Sequence, residues 1–260
     1  MQAQQLTLGD GVPATFMAAG PGAPLIVFSN GFGAPRAQAV PPGVPENRIS
    51  PPLVLGLLEA GYSVLAPENP GHGDRLANGD TTSDALTRSF LGDGPDLVRL
   101  TVDETPAIVD SAVEHGLVSS PDRIAVLGHS WGAYQSLLRL AGDERIACAV
   151  ALIPVIDPRC LDPFAALPRG IRLDERSLID LTVEQLRSRP LLVIASSDDD
   201  VAPAGYAREL VETLCATAAT GDRVDYVELD GVGHHFDQRQ LDAIMLWLQS
   251  RLPTRRSARA

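Results

Sequence analysis

Lysine is absent from this 260-residue chain: every one of its 21 basic residues is arginine. No lysine amine is therefore available for Schiff-base chemistry. Cysteine is scarce too. Cys148, Cys160 and Cys215 are odd in number and form no C-x-x-C pair, which speaks against a disulfide framework and leads to the expectation of a cytoplasmic protein. Long hydrophobic runs are missing as well. The longest, residues 146–156, has 11 residues, short of the roughly 20 that cross a bilayer, and reads as a core strand. The segment Met1-Gln2-Ala3-Gln4-Gln5 has no basic side chain and no apolar stretch, so no leader is expected. Positive charge is outnumbered, 21 basic against 33 acidic residues for a net charge of −12. Neutralising phosphate needs clustered cations, so nucleic acid and anionic membrane are not expected partners. The one basic cluster, Arg251, Arg255, Arg256 and Arg259, lacks apolar periodicity, and residues 253–260 read as a frayed tail. Metal-ligand spacing is also missing. His234 and His235 are adjacent rather than four apart, and His72 and His129 have no second ligand nearby. Arg36 occupies the last glycine position of a G-x-G-x-x-G begun by Gly31 and Gly33, which removes the case for a dinucleotide. No cofactor and no metal are expected, and no feature marks an oligomeric interface.

What is present is an ordinary globular composition, 45% hydrophobic and 21% charged, with a regular rhythm. Two N-terminal strands, near 5–8 and 13–18, flank the turn Gly9-Asp10-Gly11. Strand patterns then recur at 25–29, 62–66, 123–127, 147–153, 191–195 and 224–229. Helical patterns stand between and after them at 51–60, 96–115, 131–141, 204–219 and 236–252. Strands alternating with helices predict an α/β fold, a mostly parallel eight-stranded sheet covered on both faces, in a single domain spanning 1–260. Three connections exceed what the sheet requires: 33–52, 73–95 and 154–189. Long connections in compact domains are often functional. The first is rich in proline and is expected to be extended; the third holds one short helical pattern near 182–188.

The densest chemical signal is Gly128-His129-Ser130-Trp131-Gly132, placed where strand 123–127 gives way to the helix starting at Trp131. A G-x-S-x-G at a strand-to-helix junction describes a nucleophile elbow, whose glycines permit a turn tight enough to lift the serine above the sheet edge. A serine hydroxyl is barely nucleophilic at neutral pH, so Ser130 requires a histidine base and an acid to orient it. Both candidates follow strands. Strand 191–195 runs into Asp198-Asp199-Asp200, and strand 224–229 into Asp230-Gly231-Val232-Gly233-His234-His235. Each therefore stands at the carboxyl edge, where open parallel sheets bind ligands. Asp157, after strand 147–153, is a further candidate acid.

In these features the chain resembles the α/β-hydrolase family over nearly its whole length. Gly61-Tyr62-Ser63-Val64-Leu65-Ala66-Pro67 followed by Gly71-His72-Gly73 looks like that family's fourth strand and its loop. The wording Pro70-Gly71-His72-Gly73-Asp74-Arg75 is most similar to small dienelactone-hydrolase-like and prolyl-oligopeptidase-like esterases. The resemblance implies an α/β-hydrolase fold with a small cap insertion at about 154–189, after the sixth strand. It implies Asp199 as the acid, with Asp198, Asp200 and Asp157 as alternatives, and His234, following G-x-G, as the base. It also implies an oxyanion hole built from the backbone N–H groups of Trp131 and Phe32; Asn30 stands where the family commonly carries His before glycine. The implied activity is serine-dependent cleavage of a small or medium-sized carboxylic ester through an acyl-enzyme. The same machinery serves a thioesterase, amidase or peptidase, lactonase or acyltransferase, and a catalytically silent ligand-binding relative would share the fold. His129, His72, His235, Phe236 and Asp237 are read as supporting residues.

Overall fold

The computed structural model describes residues 2–43, 47–217 and 223–254. Residues 255–260 of the expected tail, Met1, part of the proline-rich connection (44–46) and the end of the helix expected at 204–219 lie outside these. Eight strands form one sheet: β1 (Ala3–Leu8), β2 (Val12–Met17), β3 (Leu25–Ser29), β4 (Ser63–Pro67), β5 (Ile124–His129), β6 (Cys148–Leu152), β7 (Leu191–Ser196) and β8 (Val224–Leu229). Their spatial order is β1-β2-β4-β3-β5-β6-β7-β8. The pairs β1·β2 and β2·β4 are antiparallel and the remainder parallel, as the alternation of patterns predicts.

The five strands β3 to β7 are buried along their whole length, which is why they read as unbroken apolar runs rather than alternating ones. Their side chains divide between two layers by parity. Leu25, Val27, Ile124, Val126, Leu191 and Val193 point into one core; Ile26, Phe28, Ala125, Leu127, Leu192 and Ile194 point into the other. The second layer is closed by α1 (Ser50–Glu59) and, late in the chain, α9 (Gln238–Arg251). The first is closed by α2 (Thr82–Leu91), α3 (Leu97–Asp103), α4 (Thr105–Glu114), α5 (Trp131–Gly142), α7 (Leu178–Leu186) and α8 (Ala204–Thr217), with the single turn α6 (Asp162–Ala165) beside them.

Several elements differ from the sequence reading. The proline-rich connection, expected to be extended, holds a helical turn at Arg36–Ala39, and the connection 154–189 holds α6 besides the one helix expected there. The helix expected over 96–115 is two, because Pro106 has no N–H to donate and its ring disfavours a continuous helix there. The connection 73–95 contains α2. Thr81 caps it, accepting from the Asp84 N–H while Asp84 bonds back to the Thr81 N–H, and Gly92 ends it with φ of 87°. The helix expected near 182–188 is α7, four residues earlier at its start; Leu178, Thr182 and Leu186, four residues apart, supply its buried face.

Candidate active site

The carboxyl ends of β5, β7 and β8 converge, and each delivers one polar side chain. Ser130 joins β5 directly to α5 with φ 55° and ψ −123°, a conformation sparsely populated for a residue with a Cβ, costing of the order of 1–3 kcal/mol. Its neighbours hold it there. The Ser130 N–H donates to the Leu152 carbonyl at 3.0 Å, and the Ser130 carbonyl accepts from the N–H groups of Ala133 at 3.1 Å and Val155 at 3.2 Å. The two glycines of the motif are demanded by contact. A Cβ on Gly128 would lie 2.2 Å from the Gly132 carbonyl oxygen, and one on Gly132 would lie 2.0 Å from that of Ser29. The elbow is therefore the crossing point of β3, β5 and the first turn of α5.

His234 and Ser130 line the same cavity. Its Nδ1 is 2.8 Å from Asp199 Oδ2. A carboxylate can only accept, so Nδ1 carries a proton, and in the neutral imidazole this leaves the lone pair on Nε2. The Asp199 side chain is fully buried, and its other oxygen accepts from the N–H groups of Val201 at 2.9 Å and Ala202 at 2.8 Å. Those two amides fix the orientation of the carboxylate in a dry setting. Of the other candidate acids, two are turned elsewhere and the third stays at the cavity. Asp157 accepts from the Arg159 N–H at the start of a short turn, Asp198 lies against the backbone of 231–233, and Asp200 lines the cavity.

Phe32 sits in the turn after β3, which closes with the Ala34 N–H donating to the Gly31 carbonyl at 3.2 Å. Asn30, the departure from the family's usual His, is buried and brackets this turn by donating from Nδ2 to the Pro35 carbonyl at 2.7 Å. Glu68, outside any motif, and His129, the second residue of the elbow motif, complete the support. Glu68 accepts from both the backbone N–H and the Nη1 of Arg36, each at 2.9 Å, tying the turn to the end of β4. His129 lies directly beneath it, so that a Cβ on Gly31 would be 2.7 Å from its Nε2. The Phe32 ring meets Trp131 edge-on at 6.3 Å, His72 at 6.4 Å and Phe164 at 5.7 Å. The side chains of the two expected oxyanion residues thus brace one another. No spacing in the sequence signals Glu68; it is a single carboxylate following an apolar strand.

Burial governs the charge states around the cavity. It lowers the pKa of His129 to about 3, with the nearby His234 adding to the effect, so the His129 ring stays neutral. Burial also raises the Cys160 thiol, which lines the cavity, to about 12 with help from Asp157, so Cys160 remains a thiol. The cavity has a volume of about 760 Å³, within the range of small-molecule sites. Its walls combine Phe32, Ile49, Leu161 and Val201 with the polar Gln38 and Asn47. Among the described residues, no three His, Cys, Asp or Glu side chains gather in a way that could hold a metal ion, and no helix is long and apolar enough to cross a membrane.

Residues 26–187 match the family model described as "Alpha/beta hydrolase family". No curated protein sequence matches the chain. Among solved structures, TT1662 from Thermus thermophilus is similar over 98% of this chain and 100% of its own, at 19% identity and a TM-score of 0.73. The esterase Pf2001 of Pyrococcus furiosus is similar over 96% of this chain and 91% of its own, at 19% identity and a TM-score of 0.67. Dipeptidyl peptidase 4 of Porphyromonas gingivalis covers 96% of this chain with 35% of its own length, at 19% identity and a TM-score of 0.71. At these identities the likeness is one of fold.

Proposed function

The chain belongs to the alpha/beta hydrolase family, and from that premise we propose that it is a serine hydrolase cleaving carboxylic esters of small or medium-sized molecules through an acyl-enzyme, in the cytoplasm and without a cofactor. The observation that carries the reading is the 2.8 Å bond between His234 Nδ1 and the buried Asp199, on a histidine that shares a cavity with the strained Ser130.

In the proposed reaction, His234 Nε2 takes the hydroxyl proton as Ser130 Oγ attacks the ester carbonyl carbon. Asp199 holds the imidazole in the required tautomer and stabilises its cation. The carbonyl oxygen becomes an oxyanion, received by the N–H groups of Phe32 and Trp131. Collapse expels the alcohol, which leaves with the proton from His234. Water then attacks the acyl-enzyme by the same route, releasing the acid and restoring Ser130. Cys160 does not compete as nucleophile, because a thiol held near pKa 12 is not ionised at neutral pH.

Hydrolysis of a chromogenic ester series, from acetate to long acyl chains, tests the proposal. The wild type is expected to turn over the short and medium members, and Ser130→Ala to lose roughly 10⁴-fold or more of kcat. Equal activity in the variant would refute serine chemistry.

A further inference from the structure

The aspartate next to Asp199 does something different and specific. Asp198 Oδ1 accepts from three successive backbone N–H groups, those of Gly231 at 3.1 Å, Val232 at 3.2 Å and Gly233 at 3.1 Å. The Ser196 hydroxyl, at the end of β7, donates to the same oxygen at 2.7 Å. These three amides belong to the segment that leads from β8 to His234.

Consecutive amides converge on one anion only if the backbone curls into a nest, which needs left-handed residues. Gly231 and Gly233 supply them, with φ of 72° and 58°. Space is not the reason for glycine here. A Cβ on Gly231 would meet nothing within 4 Å, and one on Gly233 would approach nothing nearer than 3.8 Å. The conformation is the reason, and its product is a ring of donors around Asp198. The G-x-G before the histidine thus reads, in this chain, as an anion nest filled by the protein's own carboxylate.

We infer that Asp198 is a positioning residue for His234: it fixes the backbone that carries the base, while Asp199 fixes the ring. The inference rests on the proposed role of His234 as base. The adjacent carboxylates hold different parts of the same segment and sew the β7 and β8 loops together, and Ser197 adds a parallel stitch through its hydroxyl to Asp230 at 2.5 Å. Without Asp198 the three amides lose their acceptor. The stitch from Ser197 to Asp230 remains upstream, but His234 itself keeps only its ring contact with Asp199 as a tie to the β7 loop. A displacement of about 1 Å at the reacting atoms is enough to lower a rate by around 10²-fold, and an acceptor without charge retains part of the hold.

The test compares wild type, Asp198→Ala, Asp198→Asn and Ser130→Ala at a temperature where circular dichroism shows all four folded. The first readout is the rate of covalent labelling of Ser130 by a fluorophosphonate, followed by intact mass. It needs the base and the nucleophile but no ester turnover. The second is kcat and KM on the best ester of the series. The expected result is labelling and kcat slowed about 100-fold in Asp198→Ala and about 10-fold in Asp198→Asn, with KM within about threefold of wild type. A purely structural role would lower the melting temperature and leave the labelling rate of the folded protein unchanged; that result, or a wild-type rate in Asp198→Ala, overturns the inference. A wild type that labels but hydrolyses no ester removes the ester proposal and leaves this test intact. A wild type that does not label removes both.

Discussion

Two buried imidazoles illustrate how far local environment departs from residue identity. His72 is fully buried, donates from Nδ1 to the Pro70 carbonyl at 3.0 Å, and has its pKa lowered by burial to about 4; that of His129 falls to about 3 for the same principal reason. Both values lie below the roughly 6.5 of a free imidazole. Above pH 6.5 the rings are neutral in folded and unfolded chain alike, and their contribution to stability is complete. As pH falls below 6.5, the unfolded chain binds protons that the folded one refuses, and stability is lost until the folded values are reached. Each ring therefore adds a slope of up to about 1.4 kcal/mol per pH unit. Urea unfolding between pH 6.5 and 5, above the range of most carboxylates, is expected to show a shallower loss in His72→Gln and His129→Gln than in wild type; parallel curves would contradict the assignment. At this scale the sequence was informative where a motif fixes several residues at once. Ser130, Asp199 and His234 all follow apolar strands, so strand recognition alone brings them to one edge. Asp198 and Glu68 were not legible as supports, because their partners are backbone amides that become neighbours only through turn conformation.

Elements carry the next level of control. The insertion after β6 is docked rather than free: Tyr134 on α5 donates to the Arg176 carbonyl at 2.9 Å, and Arg176 pairs with Asp96 at 2.6 Å. From α6, the fully buried Phe164 meets Phe32 edge-on at 5.7 Å and Phe90 of α2 at 4.9 Å. Two long connections thus meet behind the turn that bears Phe32. Phe164→Ala is expected to lower stability by about 3–5 kcal/mol in urea unfolding and, by loosening Phe32, to lower kcat/KM by about tenfold on the preferred ester; unchanged activity in the destabilised variant would show that Phe164 only packs. The strands were legible to within two residues at most ends, because burial on both faces leaves a continuous apolar run. Helices fared less evenly. Thr81 and Asp84 cap the start of α2, and Leu86 and Phe90 supply its buried face, but the polar residues between them masked the period, and 73–95 read only as a connection. In 96–115 the apolar period continued through Pro106 and hid the break.

On the scale of the whole molecule, the parallel strands align their carboxyl ends and leave the chemistry to the loops beyond them. Ser29 pairs with Gly128, Gly128 with Ala151, and Ser196 with Leu229, so the Phe32 turn, the elbow and the loops that bear Asp199 and His234 emerge along one rim. Beneath the rim, Arg75 and Arg139 share the buried Glu104, a network that links the β4 loop, the α3–α4 break and α5. Such a network is held by its completeness, since removing one partner leaves a buried charge uncompensated. The rim and the two cores were legible from the rhythm of strands and helices; the shape and lining of the cavity were not, because they are set by three loops whose paths depend on contacts with one another. The proposed chemistry passes through one covalent state, and that state is directly observable. Wild-type protein mixed with a chromogenic acetate ester, quenched within the first turnovers and digested for mass spectrometry, is expected to release a burst of one alcohol per active site and to carry an acetyl group on the peptide containing Ser130, with both absent in Ser130→Ala. Turnover of the ester with the acetyl group on another residue, or turnover that persists in Ser130→Ala, would contradict the assignment of Ser130 as nucleophile.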